Sequence, residues 1–349
     1  MQLCNLCKSI TNTISKNKEQ VIFLNTGDIL NGKILNFKYS KVSSLPGQAK
    51  KTIKNNDILF SEIRPKNGRY ALVNVENPND FVVSTKLMVI RCDDIVLPKY
   101  LYYYLTSPKI ISHLQELAES RSGTFPQITF DEIKSLNIDL PSKDFQQHIV
   151  NIIGSIDDLI EHKNLIINKI NQLKKYLYFK SIAKSQAEST LKNYINIETG
   201  SMNLNENDPN GEYIFYTRNE GTFKANKYTH NQTGVIVAGE GNFTPKYAKG
   251  KFGLHQRAYL LSSNSDLLSD EILLQIVSSN VDYLNSVAVG STVKSLRRNS
   301  FENMPFYIDG KYDEIKNVLF KLQKLENEYI HLINKLNNTK QIYLKKFFG

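Results

Sequence analysis

Two stretches of the chain space their apolar residues in alternating steps of three and four. In the first these are Ile149, Ile153, Ile156, Ile160, Ile167, Ile170 and Leu177, with Lys163 and Lys174 filling the gaps. In the second they are Leu322, Leu325, Tyr329, Leu332 and Leu336, followed by Thr339 and Tyr343. Such spacing draws one stripe along one side of a helix. No proline interrupts either stretch: none lies between Pro141 and Pro209, or after Pro305. The pattern predicts two helices of about 35 residues, each roughly 50 Å long at 1.5 Å per residue. A compact domain of this size offers no face of that length. The two stripes are therefore expected to pack on each other.

The other patterns are shorter. Asp57–Phe60 and Phe81–Arg91 are β-branched or aromatic runs bounded by Asn, Gly and Pro, and predict strands. Pro98–Leu117 carries Leu101, Leu105, Ile110, Ile111, Leu114 and Leu117 at helical spacing. Ser269–Leu284 predicts another helix, with Asp270 and Glu271 in its first turn. Residues 200–260 are rich in Gly and Asn, with short apolar runs such as Val235–Ala238, and predict a twisted sheet with long loops. The fold class expected is mixed α/β (α+β). Residues 1–145 form one domain, 146–188 a long helix, 189–308 a second domain, and 309–349 a second long helix.

The pieces recur. Ser122-Gly123-Thr124-Phe125-Pro126-Gln127-Ile128 lies over Gly290-Ser291-Thr292-Val293-Lys294-Ser295-Leu296 at an offset of 168. Ile167–Asn171 lies over Ile333–Asn337 at 166, and Phe81–Lys86 over Phe252–Arg257 at 171. The order is the same in both halves and the drift is a few residues. One unit, a mixed domain plus a long helix, is used twice.

Composition changes the picture only in part. The 349 residues allow two domains, and 41% hydrophobic residues suffice for real cores. Three cysteines exclude a disulfide framework, and no apolar run approaches the ~18 residues of a membrane span. The first ten residues lack the pattern of a secretory signal, so a reducing, cytoplasmic setting is expected.

Charge is more telling by region than in sum. The total is +10, from 44 Lys+Arg and 34 Asp+Glu, but residues 191–308 hold 11 of each sign. Basic residues cluster from Lys33 to Arg69 and from Arg218 to Arg257, interleaved with Tyr39, Tyr70, Phe223, Tyr228, Phe243 and Tyr247. Phosphate-tracking surfaces have this composition. The contact candidates are Lys38, Lys41, Arg64, Lys66 and Arg69 in the first domain. In the second they are Arg218, Lys224, Lys227, Lys246, Lys249 and Lys251. Arg121 and Thr124 stand in or beside the first Ser-Gly-Thr segment, and Lys294, Arg297 and Arg298 in or beside its repeat.

Catalytic motifs are incomplete. Gly27–Ile34 nearly fits a phosphate-binding loop, but Ile34 stands where the magnesium-binding Ser/Thr belongs. Cys4 and Cys7 have no second pair to complete a zinc site, and the six histidines are scattered. Gly239-Glu240-Gly241 lacks the strand–GxGxxG–helix context of a dinucleotide site. A binding protein is expected, with no metal or cofactor of its own.

Three segments carry a family resemblance. Asp57-Ile58-Leu59-Phe60-Ser61-Glu62-Ile63-Arg64-Pro65-Lys66-Asn67-Gly68-Arg69, Ser122–Ile128, and Ile138-Asp139-Leu140-Pro141-Ser142 leading into Gln146-Gln147 resemble motifs of the specificity subunits of type I restriction–modification systems. The second copy departs where Lys294 stands near the position of Pro126 and where no Leu-Pro entry precedes the last helix. The resemblance implies two target-recognition domains in a pseudo-twofold arrangement, each reading half of a bipartite double-stranded DNA site. It implies an antiparallel coiled coil that docks two modification (methyltransferase) subunits, with restriction subunits where present. The chain would itself be non-catalytic and bound to no membrane. S-adenosylmethionine, ATP and magnesium would serve the partners in adenine-N6 methylation and ATP-dependent cleavage. The competing reading is a coiled-coil scaffold holding two protein-binding domains.

Overall fold

Short apolar runs punctuated by Gly, Asn and Pro build two sheets in the first third of the chain. The computed structural model describes residues 1–11, 18–120, 126–182, 187–219, 223–265, 268–308 and 312–349. They divide into two units, Met1–His162 with Ile333–Gly349, and Lys163–Leu332.

The principal strands of the first unit are β1 (Cys7–Ser9), β2 (Gln20–Leu24), β3 (Tyr39–Lys41), β4 (Ala49–Thr52), β5 (Ile58–Ser61), β6 (Tyr70–Leu72), β7 (Phe81–Ser84) and β8 (Leu87–Cys92). One sheet has the order β1-β8-β5-β6, the other β3-β2-β7-β4. The only parallel pairing among these strands is β2 with β7. Helices α1 (Pro98–Leu105), α2 (Pro108–Ser120) and α3 (Phe130–Lys134) follow.

The second unit repeats this plan strand for strand. Its strands are β9 (Ile195–Thr199), β10 (Tyr213–Tyr216), β11 (Phe223–Ala225), β12 (His230–Asn231), β13 (Gly234–Ala238), β14 (Lys246–Ala248), β15 (Lys251–Leu254) and β16 (Ala258–Ser263). The sheet orders are β9-β16-β13-β14 and β11-β10-β15-β12, and β10 with β15 is again the parallel pair. Each strand sits where its counterpart eight places earlier sits.

The central strands β5 and β13 show no alternation because both faces are covered. Ile58 and Phe60 join the helix-side core with Leu101 and Leu114, while Leu59 joins Val83 and Val89 between the sheets. In β13, Val235 and Val237 face the helix side and Ile236 the other sheet. A strand buried on both faces reads as a continuous apolar run.

Three expected elements are interrupted. Phe81–Arg91 is two strands in different sheets, turned at Thr85-Lys86. Pro98–Leu117 is broken between α1 and α2 at Ser107-Pro108, since Pro108 has no N–H to continue the ladder. The helix expected at Ser269–Leu284 is α5 (Asp270–Ser279) and α6 (Val281–Val287), parted at Asn280, whose side-chain amide donates to the Ile276 carbonyl at 2.9 Å. α7 (Arg298–Glu302) then matches α3.

The long helices are α4 (Lys143–Ile182) and α8 (Tyr312–Phe348). On α4 the inward positions are those expected: Ile153, Ile156 and Ile170 are buried, and Ile160, Ile167 and Leu177 half-buried. Lys174 is 3% exposed. On α8 the phase differs. Leu322, Tyr329 and Leu336 face inward, but Leu325 and Leu332 are each 38% exposed. Glu326 and Ile333 take the inward places instead. In the first unit, Lys340 donates to Asp157 at 2.6 Å, and Leu344 and Phe348 join the core with Ile149 and Ile153. In the second unit, the ammonium of Lys163 lies 5.3 Å from the Tyr329 ring centroid and Lys174 reaches Gln323 and Glu326. Within each unit taken by itself, rising numbers on α4 meet falling numbers on α8. Among the described residues no helix is long and apolar enough to cross a membrane.

Candidate nucleic-acid interface

The turn after the central strand is built alike in both units. In the first, Glu62 N–H donates to Lys86 C=O (3.0 Å), Ile128 N–H to Glu62 C=O (2.9 Å), and Arg64 N–H to Pro126 C=O (3.1 Å). In the second, Gly239 N–H donates to Arg257 C=O (2.8 Å), Leu296 N–H to Gly239 C=O (2.8 Å), and Gly241 N–H to Lys294 C=O (3.1 Å). Lys86 and Arg257 are paired by the repeat, as are Pro126 and Lys294, and Ile128 and Leu296. The repeated Ser-Gly-Thr segments therefore lead into a backbone clamp on this turn. Lys294 serves where Pro126 does because only its carbonyl is needed.

Arg64 and Gly241 occupy equivalent places, and both are left-handed, with φ of 46° and 86°. That conformation is ordinary for Gly and costs a side-chain-bearing residue about 1–2 kcal/mol. Arg64 is exposed and held there by the clamp.

Each turn also carries an acid–base pair. Lys86 Nζ lies 3.4 Å from Glu62 Oε2 and 3.4 Å from Gln127 Oε1. In the second unit the acid is Glu240. Arg218 Nη1 lies 2.7 Å from its Oε2, and Arg257 Nη1 lies 3.1 and 2.9 Å from its two oxygens. Both guanidiniums hold the Glu240 carboxyl below the usual carboxylate range, Arg257 most strongly. Beside them His255, 7% exposed, accepts from Arg257 N–H at Nδ1, 3.0 Å away. Burial first, then the two arginine charges, push His255 below the ordinary imidazole value.

The other candidates fall into distinct settings. Lys38 and Lys41 are exposed on and before β3, near exposed Phe37 and Tyr39. Lys66 is exposed, and its backbone N–H donates to Gln115. Arg69 is engaged with its own unit: Nη1 donates to the Gly27 and Ile29 carbonyls at 3.1 and 3.0 Å. That contact pins the Gly27–Ile34 segment, a short turn and a two-residue hairpin through Asn31-Gly32, both with positive φ. No strand–loop–helix is present there, so it is not a phosphate-binding loop.

In the second unit, Lys224 is exposed on β11 and Lys227 pairs with Glu206. Lys246 donates to the Asn219 carbonyl (3.0 Å). Lys249 lies over Phe320 and Lys251 over the exposed Tyr228, 5.8 and 4.8 Å from the ring centroids. Lys294 donates to Asn285 C=O, and Arg298 to Glu302 and Ile197 C=O, so both serve the local fold. Arg297 is exposed at the start of α7. Arg121 and Thr124 lie outside the described residues. Of the interleaved aromatics, Phe243 is buried, Tyr70 stacks on Phe60, and Tyr247 donates to Glu271, so Tyr39 and Tyr228 are the exposed ones.

The turn pairs Glu62–Lys86 and Glu240–Arg257 were missed in the sequence. Their signal was present, because Lys86 and Arg257 already matched at the end of the repeated Phe81 and Phe252 runs. Among the described residues no group of three His, Cys, Asp or Glu could hold a metal. Cys7 is buried, which pushes its thiol up to about 12, unlike a ligand thiolate.

Two-sheet units, each continued into a long helix and each carrying the same backbone-clamped turn, define a duplicated two-domain protein. Residues 2–172, just under half of the chain, match the model described as the type I restriction modification DNA specificity domain. The chain is 50% identical over 159 residues to the type I restriction enzyme HindI specificity subunit of Haemophilus influenzae, covering 45% of this chain and 34% of that protein. It is 30% identical over 104 residues to the EcoDI specificity subunit of Escherichia coli, covering 30% and 23%. The chain thus matches about a third or less of the length of these curated relatives. In fold it is similar to the crystal structure of a type I restriction-modification system S subunit from M. genitalium. The TM-score is 0.57 at 15% identity, over 100% of this chain and 95% of that one.

Proposed function

We propose that this chain is a DNA-specificity subunit, in which each unit reads one half of a bipartite duplex site. The observation that carries the reading is the strand-for-strand duplication, with the same clamped basic turn in each copy. In this reading the divisions are target-recognition domains at 1–145 and 189–308, and coiled-coil helices at 146–188 and 309–349. Two half-sites about 34–36 Å apart would lie one DNA turn from each other. The approximate twofold disposition implied by the repeat belongs to the same reading.

The partners are two modification subunits, joined by restriction subunits where the host has them, in the cytoplasm. S-adenosylmethionine, ATP and magnesium belong to those partners, and the chain contributes recognition alone. Val318, Leu325 and Leu332 support a docking role for α8, because they are exposed apolar residues seven apart on one side of the helix.

The test is co-purification with a neighbouring methyltransferase, then mapping of methylated adenines in the host genome. A bipartite methylated sequence that disappears with the chain is the expected result. A chain that neither retains a methyltransferase nor shifts any duplex DNA would sink the reading in favour of a protein scaffold.

A further inference from the structure

We infer that Arg218 and Arg257, held by Glu240, form the base-reading element of the second unit and take the major-groove edge of a guanine. Glu240 is the positioning residue. The inference rests on the DNA-specificity reading above and names the residues that would execute it in the second unit.

Arg218, Arg257 and Glu240 keep 43, 53 and 23% of their side chains in solvent. Ion pairs this exposed contribute little stability. Yet the backbone is specialised to present them. Gly239 sits against the Arg257 carbonyl, where a Cβ would come within 3.0 Å, and Gly241 is left-handed. Glu240 also forms a β-bridge with Ser295. The Gly-Glu-Gly sequence is thereby explained as a mount for one carboxylate.

One edge of each guanidinium is left over. Glu240 engages only Nη1 of each arginine. Among the described residues, Nε and Nη2 of both guanidiniums make no hydrogen bond. A guanidinium fixed at one corner keeps the planar donor fork that matches guanine O6 and N7. Arg218 also borders a hollow of about 120 Å³ with Ile236 and Ala238 in its wall and Thr217, Asn219, Asn242 and Thr244 around it, room for bridging water at about 30 Å³ each.

In the repeat, Lys86 stands where Arg257 does and is paired with Glu62, which takes the backbone place of Gly239, one residue before that of Glu240. A basic side chain held by an acid of the same turn is kept, while the donors and the acid's position differ, as two readers of unlike half-sites require.

The test uses the full-length chain in complex with modification subunits and a library of random-sequence DNA duplexes, with retained duplexes sequenced. Arg257→Lys and Arg218→Lys keep the charge and remove the fork. Each should lower discrimination at one guanine of one half-site by about five- to 150-fold, leaving the other half-site unchanged. The unchanged half-site also reports that the variant is folded and assembled. Glu240→Gln should blur the same position. Full retention of the sequence by both lysine variants overturns the inference. So does a uniform loss across all sequences, which would assign the arginines to phosphates. A wild-type complex that selects no sequence overturns the DNA-specificity reading itself, a separate outcome.

Discussion

Lys174 donates to Glu326 at 2.6 Å in the buried seam between the two long helices, and the two side chains keep only 3 and 12% of their surface in solvent. Gln323 completes the layer, accepting from Lys174 and donating to Glu326 at 3.0 Å. A charge this deep is stable only with its partner. Lys174→Met should destabilise the second unit by about 3–5 kcal/mol, because it strands the Glu326 carboxylate. The double variant Lys174→Met/Glu326→Leu should recover most of the loss. Urea unfolding of the four proteins of the cycle measures it. Equal losses in single and double variants would refute the pairing.

Arg64 stands left-handed where the second unit has Gly241. Arg64→Gly should leave the fold as stable or up to about 1 kcal/mol more stable, by release of backbone strain. Duplex affinity should fall in the same protein. Thermal unfolding and a gel-shift assay separate the two effects. A less stable Arg64→Gly protein would mean that the guanidinium contributes more to the fold than the strain costs.

Leu325 and Leu332 lie outside the seam. Leu325→Ser with Leu332→Ser should change stability by no more than about 0.5 kcal/mol each, as exposed positions do. The same pair should reduce co-purification of a modification subunit. Large destabilisation would return both residues to the helix interface.

His255 and His230 are both held below the ordinary histidine value of 6.5, burial being the largest cause in each. The unfolded chain binds these protons more readily, so stability rises with pH in this range. The contribution is present above about pH 6.5 and is lost as pH falls through the depressed folded values. Melting of the second unit should therefore decline between about pH 7 and pH 5. His255→Gln should flatten that decline. Curves of equal slope for His255→Gln and wild type would remove His255 as a source.

The sequence made much of this legible, for physical reasons that differ by element. The α4 seam could be read because Lys163 and Lys174 fill places that otherwise hold Ile and Leu. On α8 the same rule slipped, since Glu326 is charged and neighbouring Leu325 looked the better core residue. Only the contact with Lys174 makes a carboxylate an inward position. The breaks at Thr85-Lys86 and Ser107-Pro108 were missed because apolar runs hide a change of sheet or axis. Arg69 looked like a groove reader until the Gly27 and Ile29 carbonyls were seen to occupy one of its nitrogens. Glu240 was visible only as a failed dinucleotide motif, because its arginine partners lie 22 and 17 residues away in sequence.

The core of the first unit contains Leu344 and Phe348, whose ring meets Tyr100 and Tyr104. Everything from Lys163 to Leu332 is made before those residues exist. At 5–20 residues per second, that interval is roughly 10 to 30 seconds on the ribosome. For that time the nascent first unit presents Ile149 and Ile153 without their covering helix. The first unit is thus completed only after the whole of the second has been synthesised.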